Sequence, residues 1–145
     1  MSFGPITLDH VGIAAPNLDA ATPFWTLIGL AQGQHDETVD DQGVTTRFFS
    51  TDGAPDRPPA KIELLEPTGP ETPIGRFLER RGAGVQQVCF RVGDLEGLIE
   101  HLVAHGVQMI DETPRAGAGG MRIAFVHPKS TGGVLVELAS RDEQA

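Results

Sequence analysis

The chain has 145 residues, 39% of them apolar, and its 11 basic and 20 acidic side chains give a net charge of −9. That length suits one domain able to bury a core, and an acidic chain without a basic cluster argues against nucleic acid as a partner. No apolar run reaches the length of a membrane span, the start MSFGPITLD lacks a basic stretch followed by an apolar one, and the single Cys89 cannot form an internal disulfide. A cytoplasmic protein with no membrane partner is expected.

Ile6 to Ala14 reads as a strand between two prolines, Pro5 and Pro16. Asn17 can cap a helix from Leu18 to Ile28 that ends at Gly29, with Pro23 distorting its first half. Thr45 to Ser50 is strand-like, Thr51 to Ala60 is a proline-rich loop, and Lys61 to Leu65 is a short strand before Pro67. A short helix follows around Ile74 to Arg81. The pattern then restarts: a strand at Val85 to Val92, a helix from Leu95 to Ala104 capped by Asp94 and stopped at Gly106, and strands at Met121 to Val126 and Val134 to Ala139. The acidic tail Arg141 to Ala145 is expected to fray.

The restart is a repeat. Laying the segment that begins at His10 over the one that begins at Gln87 needs no gap through Leu30 and Val107. Asn17 then meets Asp94, Asp19 meets Glu96, and Gly29 meets Gly106, while KIELL over LVELA sets Glu63 against Glu137. The expectation is one domain, residues 1–145, of class α+β, with a first module over about 5–67 and a second over about 84–140.

Four polar residues interrupt the apolar strands at two pairs of equivalent positions, His10 with Gln87 and Glu63 with Glu137. A strand that turns one face to solvent would place either glutamate in water. On buried faces two carboxylates would repel and cost several kcal/mol each unless compensated. If equivalent positions converge about a pseudo-two-fold axis, one His, one Gln and two Glu make a ligand set for a divalent cation.

Other candidates carry less. His101 and His105 fall one helical turn apart but align with Phe24 and Ile28, which points to packing or helix-surface roles. His127 precedes Pro128 and can border a cleft, and His35 lies in a loop. Pro114 to Gly120 is glycine-rich, matches no phosphate-binding loop, and reads as a flap. Cys89 reads as a small buried hydrophobe.

DHVGIA at Asp9 to Ala14, the Asp41 to Val44 stretch, KIELLEP at Lys61 to Pro67, Thr72 to Val92, and DETPRAGAGGMRIAFVHPKSTGGVLVEL at Asp111 to Leu138 together resemble the vicinal oxygen chelate superfamily, the glyoxalase, bleomycin-resistance and extradiol dioxygenase group. Within it the resemblance is greatest to methylmalonyl-CoA epimerases. It implies tandem paired βαβββ modules forming a cupped mixed sheet around a metal site, with helices outside. It further implies a divalent-metal-dependent isomerase that epimerises methylmalonyl-CoA, or a related 2-substituted malonyl-CoA, through a metal-stabilised enolate. Carried over by position, His10, Glu63, Gln87 and Glu137 would be the metal ligands, Glu137 also a proton-transfer base, and Lys129 and Ser130 substrate-binding residues.

Two positions depart from the family pattern. Gln86-Gln87 stands where a His-His pair is usual, and Thr46 stands where some members carry a glutamate proposed as the opposite base. An amide oxygen in place of an imidazole favours harder ions, and Co, Mn, Mg, Ni and Zn are not separated by this ligand set. The partners implied are a CoA thioester and a second copy of the chain in a homodimer. A glyoxalase-like isomerase of the lactoylglutathione lyase type, and a non-catalytic binder of small ligands, are the alternatives the superfamily offers.

Overall fold

The backbone, a computed structural model describing residues 2–141, divides into two compact units, one from Asp9 to Gln86 and one joining the residues up to Leu8 with those from Gln87 onward. Residues 142–145 of the tail expected to fray lie outside the described residues.

The first unit contains β1 (Thr7–Ala14, its first two residues grouped with the other unit), α1 (Leu18–Ala21), α2 (Pro23–Leu27), β2 (Ala31–Gln32), β3 (Glu37–Val39), β4 (Val44–Ser50), β5 (Lys61–Pro67) and α3 (Pro73–Arg81). The single helix expected over Leu18 to Ile28 is two helices. Pro23 has no N–H to continue the first and takes the opening position of the second, while the Thr22 hydroxyl donates to Leu18 O at 2.7 Å. Asn17 caps α1 as expected, accepting from Ala20 N at 2.8 Å. The turn before β4 closes at Gly43, where φ is +63° and a Cβ would lie 2.6 Å from Thr72 Cγ2, so only glycine fits without strain.

The strands run β2-β4-β5-β1, with β3 also on β4; β1 is parallel to β5 and the others are antiparallel. Register decides which side chains share a face, because alternate residues point opposite ways. Ile13, Phe49, Ile62 and Leu64 fall on one face and pack against Leu18, Ala21 and Trp25 of the helices. His10, Thr46, Phe48, Lys61 and Glu63 fall on the other.

The second unit contains β6 (Gly84–Arg91, its first three residues grouped with the other unit), α4 (Leu95–Ala104), β7 (Arg115–Ala116), β8 (Met121–Val126) and β9 (Val136–Arg141), ordered β6-β9-β8-β7. Helix α4 begins at Asp94, whose carboxylate accepts from Gly97 N at 3.0 Å. It buries Leu95 and Ile99, one turn apart, against Val92, Ala124, Val126 and Leu138, each worth about 1.5–3 kcal/mol of apolar burial. Gln87, Cys89, Phe125, Ile123, Glu137 and Ala139 lie on the opposite face. The amino-terminal segment joins this unit because Phe3 O accepts from both Gly93 N and Asp94 N, and Gly4 passes so close to Gly93 that a Cβ there would sit 2.9 Å from its Cα.

Two boundaries differ from the sequence reading. The last strand begins at Val136 rather than Val134 because Val134 N donates to Thr131 Oγ1, and the same hydroxyl reaches Val134 O, so the turn engages both its polar groups. The stretch expected as a flap returns onto the sheet: Arg115 and Ala116 pair with Ile123 and Arg122, and Gly117 N donates to Met121 O.

Candidate metal and catalytic site

Each unit brings one pair of the four polar strand residues together. In the first, parallel register sets Gly12 opposite Glu63, so His10 and Glu63 share a face two residues apart, and His10 Nε2 stands 3.0 Å from Glu63 Oε1. The ring's other nitrogen, Nδ1, stands 2.8 Å from Asp9 Oδ2, and Lys61 Nζ lies 3.5 Å from the second Asp9 oxygen. The ring also meets Phe48 edge-on at 5.7 Å. His10 is thereby fixed in orientation from behind with Nε2 directed to a carboxylate.

In the second unit, Cys89 pairs with Glu137, which puts Gln87 on the same face one step along β6, and Gln87 Nε2 donates to Glu137 Oε1 at 3.0 Å. All four residues are buried: exposure is 6% for His10, 3% for Glu63, 5% for Gln87 and 4% for Glu137. The possibility that alternation turns either glutamate to solvent is therefore excluded. Each buried pair, a carboxylate with an imidazole in one unit and a carboxylate with an amide in the other, offers donors suited to a divalent cation, whose charge would offset the carboxylate's. The Asp9–His10 pair is also the orienting arrangement that metal-binding histidines usually have. These residues fit the ion that the sequence implies.

The other candidates fall as follows. Thr46 is 1% exposed, and its hydroxyl lies 3.4 Å from Glu37 O. Lys129 and Ser130 are exposed on a 3-10 turn after β8, Ser130 Oγ accepting from Gln108 N at 2.8 Å and Lys129 N donating to His127 Nδ1 at 3.0 Å. His101 and His105 meet as tilted rings with centroids 4.3 Å apart, Phe3 lying against His101, while His105 is exposed on the helix surface. Cys89 is buried in an apolar cluster with Met121, Ile123, Phe125 and Ala139. Asp9 had no role in the sequence reading; the only available signal was its place directly before His10.

A strand-borne histidine and glutamate in one unit, and a glutamine and glutamate at the matching strand positions of the other, define a paired-module protein with one donor pair per module. The chain belongs to the glyoxalase/bleomycin resistance protein/dioxygenase superfamily, whose family model matches residues 9–125. It is 38% identical over 133 residues to the ethylmalonyl-CoA/methylmalonyl-CoA epimerase of Cereibacter sphaeroides, covering 90% of this chain and 95% of that protein. It is 37% identical over 135 residues to the mitochondrial methylmalonyl-CoA epimerase of Dictyostelium discoideum, covering 92% and 78%. A variant of Streptomyces coelicolor methylmalonyl-CoA epimerase, solved in complex with 2-nitronate-propionyl-CoA, superposes with a TM-score of 0.88 at 33% identity, covering 94% of this chain and 95% of that one. The α+β fold of the vicinal oxygen chelate group, expected from the sequence, is that of this chain. Among the described residues no helix is long and apolar enough to cross a membrane.

Proposed function

We propose that the chain is a divalent-metal-dependent epimerase of methylmalonyl-CoA or a closely related 2-substituted malonyl-CoA, acting as one domain in which the two modules serve one site. The observation that carries this reading is the matched pair of half-sites, His10 with Glu63 and Gln87 with Glu137, each buried and each already in contact. Its relatives' substrates are the second support.

In this reading His10, Glu63, Gln87 and Glu137 hold the ion, with Asp9 orienting the imidazole. A bound divalent ion would supply positive charge that makes the C2 proton of the thioester easier to remove. Glu137 takes that proton, its Oε1 positioned by the Gln87 amide. Lys129 and Ser130, presented on their exposed turn, bind the anionic substrate. A homodimer in the cytoplasm completes the proposal.

The test is direct. Protein loaded in turn with Co²⁺, Mn²⁺, Mg²⁺, Ni²⁺ or Zn²⁺ is expected to interconvert the C2 epimers of methylmalonyl-CoA and to exchange the C2 proton in D₂O, with ethylmalonyl-CoA run in parallel. Inactivity with every metal on both esters overturns the reading. Turnover of the glutathione hemithioacetal alone would make the chain a glyoxalase-type isomerase, and stoichiometric ligand binding without turnover a binding protein.

A further inference from the structure

We infer that Lys61 is a positioning residue: acting through Asp9 and braced on Phe48, it holds the His10 ring in the orientation that presents Nε2 as a ligand. The inference rests on the metal-dependent reading above and concerns the unit from Asp9 to Gln86 alone.

Strand register places the parts. Lys61 on β5 is the direct partner of His10 on β1, and Phe48 on β4 is the partner of Glu63, two residues along β5 from Lys61. Diagonal neighbours across an antiparallel ladder lie within reach of aromatic and long side chains. Four contacts then close a ring. Asp9 Oδ2 stands 2.8 Å from His10 Nδ1, and Lys61 Nζ lies 3.5 Å from Asp9 Oδ1. The ammonium lies 5.9 Å from the centre of the Phe48 ring, and that ring meets His10 at 5.7 Å.

Each contact removes a different freedom. A hydrogen bond at Nδ1 fixes the imidazole only as well as its acceptor is fixed. A carboxylate whose two oxygens are divided between two partners cannot turn about its own bond without losing one of them. Lys61 thereby steadies the acceptor that steadies the ring. Phe48 serves both ends of the circuit, attracting the ammonium and packing against the imidazole.

A cation on this face also works against a divalent ion. Its charge, taken alone, repels the ion and lowers affinity. Positioning and repulsion therefore predict opposite signs when the charge is removed. Outer partners of a metal-binding histidine are worth about 10- to 100-fold in affinity. The Lys61 side chain is 20% exposed, so solvent screens its repulsion while the contact with Asp9 persists. Positioning wins.

The experiment titrates Zn²⁺ and Mg²⁺ into the full chain by calorimetry and follows the His10 ring by NMR in the loaded state. Lys61→Met keeps the stem and removes the charge, Lys61→Gln gives a second uncharged variant, and Lys61→Arg keeps the charge. Both uncharged variants should bind about 10-fold more weakly than wild type, and their His10 Nδ1–H should exchange faster with water. Lys61→Arg should restore both readouts, and melting temperatures should stay near wild type. In an Asp9→Asn background Lys61→Met should cost nothing further, because Lys61 acts through Asp9. Unchanged or tighter binding by the uncharged variants, additive losses in the double variant, or no recovery in Lys61→Arg would each overturn the assignment. Failure of the wild-type chain to bind any of the ions named above would instead overturn the metal-dependent reading, and the inference with it.

Discussion

The two units place functional residues at the same two strand positions but join them by different bonds. In one, His10 offers a ring nitrogen to Glu63 at 3.0 Å and is held from behind by Asp9. In the other, Gln87 donates an amide N–H to Glu137 at the same distance. The strand position is therefore what the doubling preserves, while the chemistry at it has diverged. In the proposed reaction the first half would be an oriented ligand pair, and the second a carboxylate steadied by a neutral donor, which suits a group that also carries a proton.

Removing the glutamates one at a time breaks this comparison hardest. Glu63→Ala and Glu137→Ala should each lower epimerisation by at least about 100-fold. Excess metal should restore part of the first loss and none of the second, because only Glu137 is asked to move a proton. Equal rescue of both variants, read in a metal titration of initial rates, would show that the halves do the same work.

A smaller effect separates the supports. Asp9→Asn removes the charge that orients His10 and should weaken metal binding about 10- to 100-fold with the fold intact. Gln87→His makes the halves alike and should tighten binding of Zn²⁺ relative to Mg²⁺, seen by calorimetry with the two ions. An unchanged preference would mean that Gln87 is not a ligand and serves Glu137 alone.

Much of this was legible in the sequence because it lay in contrast: a His, a Gln and two Glu inside otherwise apolar strands, at equivalent positions of two segments whose intervening loops differ in length by three residues. What was not legible depended on partners distant in the chain. Strands β2, β3 and β7 have only two or three residues each and exist because β4 and β8 offer them ladders; no periodicity can be read from so few positions. Glu37 takes its face only through β4, and Asp9 meets His10 only through the turn of that ring. The grouping of the first eight residues with the second unit rests on the Phe3 carbonyl and the Gly4–Gly93 approach, neither of which has a local signature.

The least of the expected effects concerns stability and again sets one unit against the other. Both tie a strand arginine to the acidic residue in the first turn of a helix, Arg47 to Asp19 and Arg122 to Glu96, although the two arginines stand two residues apart in strand register. Only Arg47 gains a second carboxylate, gripped by two bonds, and its side chain is 12% exposed against 35% for Arg122. Arg47→Met should therefore cost about 1–2 kcal/mol, and Arg122→Met, a surface pair, about 0.5 kcal/mol or less. The guanidinium hydrogen bonds hold the Asp36 carboxyl below its ordinary value, against the opposing pull of burial. A carboxyl lowered in the folded state contributes stability that is complete above its unfolded value and is lost as pH falls through the folded one. Wild-type melting temperature should then fall more steeply than that of Arg47→Met below about pH 4, and the two curves should converge in acid. Parallel curves would mean that Arg47 stabilises the unit by packing rather than by charge.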